Sequence, residues 1–211
     1  MPTLEELLRL SAERHQHLCP RQVLGVRMGL LAGRLLGLPV PQKDKRMLVI
    51  VETDGCFTDG LAVATGCSVG RRSMRVVDFG KVAATFVDTE TCRAVRIVPH
   101  HESRQRAKIY APDATSRWET YLLGYQVMPE DELFTFRNVR LRFSLQQLLS
   151  RDRYRVNCEA CGEEIINERE VLVEGRVLCR GCAGENYYEW DDEPPHEDEA
   201  DRLPVGLFML F

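Results

Sequence analysis

RMLVIVETDGCFTDGLAVATGC, residues 46–67, is the stretch on which the fold turns. Met47 to Val51 is an unbroken apolar run, which fits a strand buried on both faces rather than one with a solvent side. The strand delivers Thr53, Asp54 and Cys56 to its C-terminal end. Phe57 to Thr65 then reads as a short helix stopped by Gly66, with Cys67 just beyond it and Ser68 to Arg72 as a loop.

Upstream, Leu4, Leu7, Leu8 and Leu10 suggest an amphipathic helix that ends near His15-Gln16-His17-Leu18-Cys19-Pro20, where Pro20 suits the first turn of a second helix. That helix runs from Arg21 to Leu38 and carries Gly25, Gly29, Gly33 and Gly37 at every fourth position. Glycine weakens a helix interior by about 1 kcal/mol against alanine, so a closely approaching element must compensate. Downstream, Met74 to Phe79 and Lys81 to Asp88 read as two strands across Gly80. Cys92 to Val98 alternates as a third, with Cys92 as a core residue, and antiparallel pairing is expected. Asp113 to Val127 fits a helix with Asp113 as its cap, Pro129 to Leu133 a turn or short helix, and Phe134 to Phe143 a strand. Irregular mixing of these elements predicts an α+β fold with a mixed sheet.

With 211 residues, 44% hydrophobic and 28% charged, the chain suits one larger core at 1–150 and a smaller module at 151–188. Ser150 to Asn157 reads as a linker. Residues 189–211 form an acidic strip with Pro194 and Pro195, then the apolar stretch Leu203 to Phe211. The net charge of -4 gives no footprint for nucleic acid. Arg27 and Arg34 interrupt the longest apolar stretch, and the first twenty residues lack a basic start followed by an apolar run. A cytoplasmic protein without membrane contact is expected. The glycine face and the apolar C-terminus suggest a homodimer.

Eight cysteines in a reducing compartment point to metal or thiol chemistry rather than disulfides. Cys158-x2-Cys161 and Cys179-x2-Cys182, with seventeen residues between the pairs, have the spacing of a four-cysteine structural zinc site in a treble-clef or zinc-ribbon-like module. Glu170 to Leu178 reads as a hairpin around Glu174-Gly175, and Ala183 to Tyr188 as the closing helix. With four protein ligands, chemistry at that metal is not expected. Cys19, Cys56 and Cys67, with His15 and His17, fall at element ends, where thiolates and imidazoles suit zinc or another soft transition metal. Simple packing of buried thiols is the alternative reading.

His15-x-His17-Leu18-Cys19-Pro20, Glu52-Thr53-Asp54-Gly55-Cys56, Thr65-Gly66-Cys67 and Asp78-Phe79-Gly80-Lys81-Val82-Ala83, in this order, resemble the FmdE-like family of formylmethanofuran dehydrogenase proteins, as does the PEDELF segment from Pro129. The resemblance implies an α+β core with a metal site. His17, Cys19, Cys56 and Cys67 are its leading ligands, His15 is a second-shell or alternative ligand, Asp54 orients a histidine, and Lys81 acts on a thiol or anion. Arg21 departs from the glycine that commonly follows the motif proline. The implied function is an accessory protein of molybdenum or tungsten enzymes in formyl-group metabolism, with a molybdoenzyme partner. The competing readings are an independent metalloenzyme and a zinc-finger docking protein. Nothing in the sequence names a substrate, and no Walker loop, GxGxxG or GxSxG motif is present.

Overall fold

Thr3 opens the first helix, α1 (Leu4–His15), by a reciprocal cap: its hydroxyl accepts the Glu6 N–H at 3.2 Å, and its own N–H donates to the Glu6 carboxylate at 2.7 Å. Gln16, at φ 67°, ends α1 in the left-handed region. The chain re-enters helix as α2 (Pro20–Leu36), with Pro20 at its first position. Buried Gln22 ties the two together. Its Oε1 accepts the Cys19 N–H at 2.7 Å, and its Nε2 donates to the Ser11 carbonyl at 2.8 Å and hydroxyl at 3.0 Å. The short connector holding His15, His17 and Cys19 is thereby anchored at both ends.

The glycine ridge of α2 is filled from within the chain by α3 (Cys56–Thr65). A β-carbon at Gly25 would sit 2.9 Å from the Leu61 nitrogen and 3.1 Å from the Gly60 carbonyl carbon. One at Gly29 would meet Ala64 and Thr65, and one at Gly33 would meet Val40. Gly60 of α3 faces the α2 backbone at Gln22 in return. The two backbones cross in direct contact, which only paired glycines permit. Gly37 has another role, ending α2 at φ 70°. The ridge is thus spent inside the fold and offers no support for a homodimer.

The sheet of this computed structural model is mixed, in the order β2 (Met74–Val76), β1 (Met47–Val51), β3 (Ala84–Asp88), β4 (Ala94–Pro99) and β5 (Phe134–Val139). β1 and β3 are buried at every residue, as the apolar run of β1 predicts. β1 pairs in parallel with β2 and antiparallel with β3, with Val51 opposite Val76 and Ala84. This corrects the expected hairpin across Gly80: β1 lies between the two strands, and residues 77–83 are a connector, so alternation was misread as pairing. Glu52, at the end of β1, takes Arg96 of β4 through two bonds of 2.6 Å. Arg46, at its start, grips the buried Asp88 carboxylate through two bonds of 2.9 Å.

Three further helices follow: α4 (Ser103–Tyr110), α5 (Arg117–Val127) and α6 (Glu130–Leu133). The sequence reading missed α4 and started α5 too early. Ser116, not Asp113, caps α5, accepting the Glu119 N–H at 3.1 Å. Arg27 is buried in α2 and donates to the carbonyls of Tyr125 and Met128 at 2.7 and 2.6 Å, satisfying the C-terminal end of α5. Cys92 is exposed at φ 58° in the β3–β4 turn, which corrects its reading as a core strand residue.

The structure describes residues 2–149 and 153–189, and the chain divides into one unit ending at Arg142 and another beginning at Phe143. The expected tail from residue 190 onward lies outside the described residues. The second unit holds α7 (Leu145–Leu149), the hairpins β6 (Arg155–Asn157) with β7 (Glu164–Ile166) and β8 (Val171–Val173) with β9 (Arg176–Leu178), and a helical turn at Gly181–Glu185. Arg155 to Asn157 is therefore strand rather than linker, held by pairing to Glu164–Ile166. The hairpin at Glu174-Gly175 forms as predicted, while the closing helix is limited to one turn because Gly184 is left-handed at φ 100°. Cys158, Ile165 and Leu178 are the only fully buried apolar residues of this module among those described, too few to hold it by burial alone.

Candidate metal centres

The two CxxC turns of the second unit bring four thiols together. The Sγ atoms of Cys158, Cys161, Cys179 and Cys182 all lie within 4.8 Å of one another, compared with roughly 3.8 Å edges for a tetrahedron of 2.3 Å zinc–sulfur bonds. Backbone N–H groups of the knuckles converge on the sulfurs. The Cys179 N–H donates to Cys158 Sγ at 3.2 Å and the Cys182 N–H to Cys179 Sγ at 3.3 Å. These amides, at Cys161 and Cys179 foremost, bring the Cys158 thiol down to about 6. The crowded neighbouring thiols of Cys179 and Cys161 push Cys182 up to about 12. The quartet cannot ionise fully without a cation at its centre, and donor set, spacing and preformed amide bonds all fit structural zinc. Gly162 at φ 78° makes the first knuckle turn sharply.

In the first unit, His15 ends α1, Cys19 precedes α2, and Cys56 opens α3. The α2–α3 crossing brings these ends together. His15 Nε2 lies 3.0 Å from Cys56 Sγ, and His15 Nδ1 lies 2.9 Å from Asp59 Oδ2. The His17 ring centroid is 5.0 Å from that of His15. Burial first, then the adjoining Cys19 thiol, push the Cys56 thiol up. A carboxylate on one imidazole nitrogen and a thiol on the other is the arrangement in which a histidine is oriented for a soft metal or as a base for the thiol.

Cys67 is not part of this group. It lies beyond the opposite end of the ten-residue helix α3, roughly 15 Å of helix away from Cys56. There it is buried, with its thiol 3.3 Å from the Met47 carbonyl and pushed up by burial. Asp54 is exposed, and the orienting role expected of it falls geometrically to Asp59, one turn into α3 on the same face as Cys56. The sequence signal for Asp59 was its three-residue spacing from Cys56 on a helix that starts one residue earlier than predicted. Lys81 is exposed, with its ammonium 5.8 Å from the centre of the Phe79 ring. Glu52, considered as an acid or base, is engaged by Arg96. His100, His101 and Glu102 also lie within 4.8 Å of one another, but Arg106 holds the Glu102 carboxylate and the Glu102 N–H engages His100 Nδ1.

Cys19 and Cys56 form part of the wall of a pocket of about 360 Å³, with Leu24, Tyr121, Tyr125 and Arg21 among the other lining residues. Among the described residues, no helix is long and apolar enough to cross a membrane.

The family described as "FmdE, Molybdenum formylmethanofuran dehydrogenase operon" matches residues 14–135, and the "Prokaryotic dksA/traR C4-type zinc finger" matches residues 152–188. A crystal structure of a tungsten formylmethanofuran dehydrogenase FmdE-like protein from Syntrophus aciditrophicus shares the fold. Its TM-score is 0.57 at 21% identity, over 89% of this chain and 96% of that one. A "Probable S-adenosyl-L-methionine-binding protein" of Archaeoglobus fulgidus is 31% identical over 208 residues, covering 87% of this chain. This chain spans about half, 54%, of that relative's length. With the core matched from residue 14 to 135 and a C4 zinc finger following it, the chain belongs to the FmdE family.

Proposed function

We propose that this chain is a metal-binding accessory protein of molybdenum- or tungsten-dependent formyl-group metabolism, with a transition metal in the core held by Cys19, Cys56, His15 and His17. What carries the reading is the contact of His15 with both Cys56 and Asp59, at 3.0 and 2.9 Å, beside the Cys19 thiol. With three of these donors bound, a fourth position stays open for a small ligand, and a metal held there would supply Lewis-acid polarisation; with all four bound the site would be closed. Asp59 orients His15, the start of α3 presents Cys56, and the anchored connector presents Cys19. Cys67 serves packing. The finger, of treble-clef type in this reading, is a folding clip or a docking surface for the partner enzyme. The free thiols suit a reducing cytoplasm.

The test is metal content per chain after anaerobic purification, in the wild type and in a Cys19→Ala/Cys56→Ala variant. Two metals falling to one supports the core site; one metal in both removes it. The second reading is thiol chemistry, with Cys56 as nucleophile, His15 as base and Asp59 as orienting group, favoured by the same contacts. It predicts His15-dependent alkylation of Cys56 in metal-free protein, and a rate unchanged in His15→Ala would end it. S-adenosyl-L-methionine enters as a ligand through the name of the Archaeoglobus relative, and equilibrium dialysis with labelled compound tests it directly. A homodimer now rests on the apolar C-terminal stretch alone, and a monomeric mass by light scattering at high concentration would remove it.

A further inference from the structure

We infer that the pocket beside Cys19 and Cys56 binds a flat aromatic ring system carrying an anionic group, with the ring against α5 and the anion on Arg21 and Arg104. The inference rests on reading Cys19 and Cys56 as the functional group, since it makes their wall the reaction side of a ligand site. Three observations carry it. Trp118, Tyr121 and Tyr125 recur at helical spacing along one face of α5, and all three line the pocket. The two tyrosine rings stack, 5.6 Å apart and 6° from parallel. Trp118 remains 52% exposed, an aromatic surface with no occupant among the described residues. Such faces bind flat rings by stacking.

The polar side of the pocket is cationic. Arg21 and Arg104 both line it, and neither forms an ion pair among the described residues, although Arg104 bears on the Tyr125 hydroxyl; Arg46, Arg96 and Arg106 are held by carboxylates and Arg27 by carbonyls. Each occupies the second position of its helix, Arg21 in α2 and Arg104 in α4, and neither helix has an acidic residue in its first turn. The helix dipole disfavours a cation at that end; at α4 the N-cap Glu102 offsets part of it, while α2 starts with no acid to compensate Arg21. A bound anion would relieve Arg21 and add a partner for Arg104. Planar guanidinium groups also suit carboxylate or phosphate oxygens and the edge of an aromatic ring. At about 360 Å³ the pocket is at the small end of ligand sites, sufficient for a bicyclic ring and its substituent.

Isothermal titration of the full chain tests this, using adenosine 5′-monophosphate and 2-naphthoate as ring-bearing anions, adenosine as a ring without an anion, and inorganic phosphate as an anion without a ring. Saturable binding of at least one ring-bearing anion is expected, with adenosine and phosphate each about tenfold weaker or worse. Arg21→Ala/Arg104→Ala should weaken the anion to the level of adenosine, and Trp118→Ala should weaken it about tenfold. All three residues are exposed, so circular dichroism should show these variants folded. No binding by either ring-bearing anion, equal binding of monophosphate and adenosine, or folded arginine variants that bind as tightly as wild type would each overturn the proposal. Metal content is a separate readout. A chain that lacks a core metal yet binds the anion loses the metal reading alone, and a chain with the metal but no anion binding loses this one.

Discussion

Gly25→Ala sets two effects of opposite sign against each other at the α2–α3 crossing. Alanine in place of an interior helical glycine favours the helix by about 1 kcal/mol. The added β-carbon would lie 2.9 Å from the Leu61 nitrogen and 3.1 Å from the Gly60 carbonyl carbon, and nearer still to the Phe57 carbonyl oxygen. All three are backbone atoms of α3, so no side-chain rotation can relieve the clash and the helices must separate. Such overpacking costs about 3 kcal/mol, which leaves a net loss of about 2 kcal/mol. That corresponds to roughly 6 °C in the melting temperature of a unit this size. Urea and thermal unfolding followed by circular dichroism measure it, with Gly70→Ala as control, since Gly70 has open space around it and an ordinary backbone. Gly70→Ala should stay within about 0.5 kcal/mol of wild type. A Gly25→Ala protein as stable as wild type, or more so, would mean that the helices do not cross in backbone contact. Because α3 begins at Cys56, that result would also undermine the geometry of the His15 site.

Other outcomes follow from the same contacts. The Arg46 guanidinium holds the Asp88 carboxyl well below the usual carboxylate range, with bonds from Thr91 and the Glu90 N–H assisting. A depressed folded-state value gives stability that is full above the unfolded value near about pH 4 and is lost as pH falls through the folded one. Arg46→Met should therefore be less stable at pH 7 and less sensitive between pH 4 and pH 3; parallel urea midpoints in the two proteins would refute this. Removing the zinc with a strong chelator should abolish hydrogen-exchange protection across residues 153–189, because the three buried residues of the module cannot replace the metal's contribution. Protection that survives complete metal loss would contradict that account. Asp59→Asn should weaken core metal binding about 10- to 100-fold in chelator competition, while Asp54→Asn leaves it unchanged. Equal effects of the two would show that Asp59 does not orient His15.

Local signals were legible wherever a residue type had one physical use. The run Met47 to Val51 read as a strand buried on both faces, Gly66 stops its helix because it tolerates the left-handed region, and two CxxC pairs at this spacing converge on one ion, whereas Gly37, expected inside its helix, ends it. The glycine ridge announced a close neighbour without naming it. Failures came where two structures share one pattern. Alternation at residues 74–88 fits two strands equally well whether they pair with each other or with a third between them, and the parallel β1–β2 pairing settles that question only in three dimensions. Cys92 has the composition of a strand residue, yet the turn before β4 needed a left-handed position there.

The candidate site divides in the same way. By itself the sequence determined the donor inventory of His15, His17, Cys19, Cys56 and Cys67, the zinc quartet, and the ends of elements at which they sit, because ligand chemistry and helix termini are local properties. Only the tertiary structure decided which donors meet. Cys56 and Cys67 bracket one helix, and a rigid rod of ten residues keeps its ends apart, so Cys67 goes to the core while Cys56 meets His15. Asp59 enters because one helical turn returns it to the face of Cys56. The aromatic and arginine walls of the neighbouring pocket come from α2, α4 and α5, segments up to about a hundred residues apart that share no local pattern and are joined only by the packing of helices against one sheet.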